Sequence, residues 1–169
     1  MPHPIKLLAA TGMLALAVPA HAAGWQLQPA DPGRGAVLTY NSGQPVSYRF
    51  ECASDAVVIT ETGVTKLLDL KTGKAIGDGV GATMPEGAAM MALFGGKGDP
   101  QFTPAVAVKN PAGGWDLTIR LSKEDKQLKA IGKSQMMSLF TTGYTMAVSM
   151  DASARASWEG FLQACKTPR

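Results

Sequence analysis

Only a few side chains in this 169-residue chain could do chemistry, and their positions narrow the options. Both histidines, His3 and His21, fall in a segment that reads as a leader. Lys6 gives it a positive start, and Leu7 to Val18 form an apolar run broken only by Thr11 and Gly12. Pro19-Ala20-His21-Ala22 then supplies the small-x-small pattern read by a signal peptidase. The run is about a dozen residues, whereas a membrane span needs roughly 20. The expectation is therefore a signal peptide over 1–22 and a single exported domain over 23–169, periplasmic or secreted. No cysteine follows the cut, so no lipoprotein anchor is expected, and no later stretch is apolar enough to cross a bilayer.

Cleavage removes Lys6 and lowers the formal net charge from +3 to +2. It also removes both imidazoles, the usual base for serine and cysteine nucleophiles. No serine is followed three residues later by lysine, and no Gly-x-Ser-x-Gly elbow occurs. Gly77-Asp-Gly-Val-Gly-Ala82 matches a dinucleotide fingerprint, but Pro85 and further glycines follow where a crossover helix is required. Gly132-Lys-Ser134 resembles the end of a phosphate loop, yet the first glycine of that motif is replaced by Gln127. Neither motif is expected to hold a cofactor.

Three chemistries need no histidine. Paired carboxylates can cleave a glycan. Here Glu124 and Asp125 are adjacent and should diverge, while Asp116 could approach Asp69 or Glu61 across a sheet; a solvated charged face is the favoured reading. Seven methionines lie beyond the leader, and thioethers suit Cu(I). Without imidazole or thiolate support, and without a Met-x-x-Met array, core filling is favoured over copper. No metal site is assigned. Finally, Ala88 to Phe94 is apolar, Met-rich and flanked by glycines. If exposed, Met90, Met91, Leu93 and Phe94 would dock a partner such as an envelope protein or an apolar ligand; burial as a lid is the favoured alternative.

The elements that must carry these residues are mostly short strands. The chain is 46% hydrophobic and 17% charged, which excludes disorder and a nucleic-acid-binding tail. Gly35 to Tyr40, Val46 to Cys52 and Val57 to Thr62 read as strands, with Tyr48, Phe50 and Cys52 on one face. Val64 to Leu70 and Lys74 to Ile76 flank a hairpin turn at Lys71-Thr-Gly-Lys74. Thr83-Met-Pro-Glu86 has capping-box spacing, so a short helix ending at Gly95, or a flap, is expected there. Ala105 to Lys109 and Trp115 to Ser122 form a hairpin around Asn110 to Gly114, and Met136 to Phe140 pairs with Tyr144 to Met150.

A closing amphipathic helix, capped by Asp151 or Ser153, carries Ala154, Trp158, Phe161, Leu162 and Cys165 on one stripe. Cys52 and Cys165 thus both lie on apolar faces, and an oxidising compartment favours a disulfide between them. The long loop it closes corresponds to about 4–5 kcal/mol in the chain-entropy view, as an upper figure. The fold class is mainly β: an antiparallel sandwich or open barrel with a packed C-terminal helix and a short helix or flap in the middle.

Trp25, the run Trp115-Asp-Leu-Thr-Ile-Arg-Leu121, Ser138 to Val148 and the closing Phe161-Leu-Gln-Ala-Cys165 resemble small exported proteins of the invasion-associated locus B type. The resemblance covers the last third of the chain, and no cysteine stands close after Trp25 as it does in that group. It implies a periplasmic β-rich fold and carries over no catalytic residue. The leading expectation is a non-catalytic periplasmic or secreted binding module with no cofactor and no nucleic-acid partner. A carboxylate-dependent glycan enzyme and a methionine-based Cu(I) protein are the alternatives.

Overall fold

The computed structural model describes residues 24–31, 35–43, 47–64, 66–68, 74, 89–142 and 144–166. The leader, the turn at 71–74 apart from Lys74, and the capping box at 83–86 lie outside the described residues. The chain order is β1 (Gly24–Gln28), β2 (Val37–Asn41), β3 (Ser47–Cys52), β4 (Ala56–Val64), β5 (Met90–Phe94), β6 (Thr103–Pro104), β7 (Val106–Lys109) and β8 (Trp115–Ser122). A short helix, α1 (Lys126–Ile131), precedes β9 (Met136–Thr141), β10 (Tyr144–Ser149) and the closing helix α2 (Ala152–Lys166).

These strands make two antiparallel sheets, ordered β1-β2-β3-β4-β8-β7 and β10-β9-β5-β6, and neither closes into a barrel. Alternation sets which side chains meet. Tyr48, Phe50 and Cys52 of β3, Val57 and Ile59 of β4, and Leu117 and Ile119 of β8 join one buried cluster with Met91, Leu93, Met137 and Leu139 of the smaller sheet. Helix α2 adds Ala154, Trp158, Phe161 and Cys165 to the same cluster and packs against β1 and β2. Asp151 is the N-cap, its Oδ1 accepting the Ala154 N–H at 2.8 Å. Cys52 and Cys165 are bonded, tying β3 to the last turn of α2 across 113 residues of sequence.

The hairpin β7–β8 follows from Asn110. Its Oδ1 accepts the N–H groups of Ala112 and Gly114, both at 3.0 Å, and its own backbone N–H reaches Gly114 O at 2.8 Å.

One expected element differs. Among the described residues the short helix in the middle is α1, and Met90–Phe94 forms strand β5. A strand apolar on both faces has no period-2 signature, so its composition reads as well as a helix. Gly95 stops no helix there. It lets α1 approach the strand: a Cβ at this position would lie 2.8 Å from the Ile131 nitrogen. The Gly95 N–H donates to Gln127 Oε1 at 3.0 Å, which ties the two elements together.

Candidate functional site: the outward face of the four-stranded sheet

The residues singled out in sequence separate by face. Met91 and Leu93 are buried in the core, whereas Met90 and Phe94 are half-buried on the opposite side of β5. On that outward side, Ala92 lies opposite Phe140 in the β5–β9 register. Phe140 gathers two further rings, Phe94 at 6.0 Å and Phe102 at 6.5 Å between centroids, both tilted. Phe102 is 50% exposed and Met136, two turns of the pleat along β9, is 52% exposed. Thr145, Ala147 and Ser149 of β10 continue the face and are exposed. None of the four strands contains a charged residue. The outward face is therefore a neutral surface with an aromatic centre.

Phe102 and Phe140 were not apparent as site residues in the sequence. Their meeting with Phe94 depends on the pairing of β5 with β9 and on the loop that follows Gly98. The outward side of the six-stranded sheet is different: it carries Arg49, Glu51, Asp116 and Arg120, with ion pairs Arg49–Glu51 and Arg120–Asp55 at 3.0 and 2.8 Å.

Glu61 and Asp116 do not converge across the sheet. Glu61, opposite Leu117 of β8, is 0% exposed on the inward face of β4, while Asp116 faces outward. Asp116 Oδ1 accepts the Gly63 N–H at 3.2 Å and the Asn110 amide at 3.0 Å, so it secures the irregular end of β4. Asp69 lies outside the described residues. Glu124 pairs with Lys129, which holds its carboxyl below the usual carboxylate range, and Asp125 caps α1 by accepting the Gln127 N–H at 2.7 Å. Both line an open cleft of about 780 Å³ with Lys97, Asp99, Gln101 and Lys126. Among the described residues no group of three or more His, Cys, Asp or Glu is placed to hold a metal ion.

Glu61 itself is unusual. The Tyr48 hydroxyl donates to Oε1 at 3.1 Å, and Oε2 is buried without a hydrogen-bond partner. Burial pushes its carboxyl up from 4.5 to about 7, with the Tyr48 hydrogen bond acting in the opposite direction. Alternation along Val57, Ile59 and Glu61 is the sequence signal that places this residue on the core side.

The methionines divide similarly. Met91, Met137 and Met150 are core residues, while Met136 is exposed. Met91 is opposite Thr141, four residues along β9 from Met137. At strand rise that is about 13 Å, too far for those two sulfurs to share one ion. Met84 lies outside the described residues.

No protein-family model, curated protein or solved structure matches this chain.

Proposed function

We propose that this chain is an exported, non-catalytic interaction module that takes a protein of the same compartment on the outward face of its four-stranded sheet. The observation that carries this reading is the cluster of Phe94, Phe102 and Phe140 on a sheet without charge. Soluble proteins seldom leave a contiguous apolar patch in water unless it meets a partner, and aromatic and Met side chains are the residues enriched where partners meet. Export is supported by the leader-like sequence before Ala22 and by the Cys52–Cys165 disulfide. Among the described residues no helix is long and apolar enough to cross a membrane. The partner surface expected here is apolar and aromatic, because a neutral face gains nothing from a charged one and would strip water from it.

The test is capture from envelope extract by immobilised wild-type protein beside Phe102→Asp and Met136→Asp. Both positions are half exposed, so both variants should keep the wild-type melting temperature. The reading expects one discrete protein retained by wild type and at least about tenfold less by either variant, since a desolvated charge costs more than the roughly 1.4 kcal/mol that a factor of ten represents. Equal retention by all three proteins rejects it.

A further inference from the structure

The two sheets have four edges, and three are protected against pairing with another chain. Strand β1 is packed against α2, with Leu27 Cδ2 only 3.1 Å from where a Cβ on Gly160 would stand. Strand β6 has two residues, one of them Pro104. Strand β7 has four residues, carries Lys109 and is flanked by Pro104 and Pro111. These are the usual ways of blunting an edge.

Strand β10 has none of them. Its six residues, Tyr-Thr-Met-Ala-Val-Ser, pair with β9 in an unbroken register from Tyr144↔Thr141 to Ser149↔Met136. It contains no proline, charge or bulge, and among the described residues no strand lies on its other side. Every second N–H and C=O of β10 points away from β9, as antiparallel pairing requires. Thr145, Ala147 and Ser149, whose side chains are small and exposed, leave room for another strand to approach.

We propose that this edge pairs with β10 of a second copy of the chain, antiparallel about a two-fold axis, to give one continuous eight-stranded sheet. Face parity restricts how this can happen. In antiparallel pairing, residues directly opposite share a face, and a one-residue slip would set the inward Val148 against the outward Thr145. The axis must therefore fall midway between two copies of the same residue. Ala147 on the axis places Thr145 opposite Ser149 on the outward face and Met146 opposite Val148 on the core side, like with like at each step. A second copy suits the edge because it is equally uncharged, so no like charges meet across the junction. The pairing uses main-chain groups and leaves Phe94, Phe102 and Phe140 free in both copies. It thus stands apart from the docking reading above.

The experiment is sedimentation equilibrium of the purified disulfide-bonded protein over a wide concentration range. Wild type, Ala147→Lys, Thr145→Lys and Phe102→Asp are compared, with melting temperature and deuterium exchange of the β10 amides recorded for each. Wild type should sediment at twice the monomer mass. Both lysine variants should melt as wild type does yet dimerise more weakly: at least about tenfold for Ala147→Lys, whose two ammonium groups meet at the axis, and by less for Thr145→Lys, whose ammonium stands opposite Ser149 of the other copy. Phe102→Asp should dimerise like wild type, and protection of the Thr145, Ala147 and Ser149 amides should rise with concentration. A monomeric wild type overturns the proposal, including the case in which those amides are protected at all concentrations by the chain's own residues. A dimer broken by Phe102→Asp and untouched by the lysine variants overturns it too, because the copies then meet through the aromatic face.

Discussion

Two aromatic clusters occupy opposite surroundings in this molecule. In the first, Phe50 lies edge-on to Trp158 at 5.0 Å and within 6.0 and 6.4 Å of Trp25 and Phe161, all between β1, β3 and α2. The Cys52–Cys165 bond closes this region, and the Trp158 indole N–H donates to Leu128 O at 3.0 Å, joining α2 to α1. In the second, Phe94, Phe102 and Phe140 are spaced much alike, at 6.0 and 6.5 Å, but nothing among the described residues lies over Phe102. Ring geometry does not distinguish them. What differs is the cover: a helix stapled by a disulfide over one cluster, and a half-exposed Phe102 at the other. The first cluster is buried, and the second leaves Phe102 50% exposed.

The difference can be broken from its strong side first. Trp158→Ala should lower unfolding free energy in denaturant titration by about 3–5 kcal/mol, through lost burial and an opened cavity. It also leaves Leu128 O without its donor. A loss below about 1 kcal/mol would mean that α2 is not part of the cooperative unit.

Glu61 gives the next effect, and its sign is fixed. The folded carboxyl titrates near 7, above the ordinary 4.5, so the native state holds its proton more tightly. Stability from this group is fully present below about 4.5 and is lost as pH rises through about 7. The loss amounts to about 3 kcal/mol. Glu61→Gln cannot ionise, so its stability relative to wild type should rise from pH 5 to about 7 and level off above that. Parallel stability curves for the two proteins from pH 5 to 8 would contradict this.

Smaller effects sharpen the contrast. Phe140→Ala, at the half-buried centre of the outward cluster, should cost about 1–2 kcal/mol. Phe102→Ala should stay within about 0.5 kcal/mol of wild type, as expected of an exposed side chain. A Phe102→Ala loss as large as that of Trp158→Ala would show that the outward cluster is covered in solution.

How much of this was legible in sequence depended on period. Tyr48, Phe50 and Cys52 alternate with Ser47, Arg49 and Glu51, so β3 and its buried face could be read directly, and the stripe from Ala154 to Cys165 did the same for α2. Together those two patterns made the disulfide readable, because both cysteines fell on apolar faces. Strand β5 was not readable as a strand, since Met90 and Phe94 are half-buried on the outward side while Met91 and Leu93 pack inward. Helix α1 is six residues, half of them polar, too short to show a stripe, and its position is set by Gly95 and Gln127. The outward cluster was partly visible: Phe94 stood out in the apolar run, but Phe140 joins it only through the β5–β9 register and Phe102 through the loop after Gly98, both tertiary properties.

Photo-crosslinking tests the docking face most directly. A benzoylphenylalanine is placed at Phe102 in one protein and at exposed Arg49, on the charged sheet, in another, and each is irradiated in envelope extract. The account predicts a discrete adduct from position 102 that is missing from position 49. No adduct from position 102, or the same adducts from both positions, would contradict it.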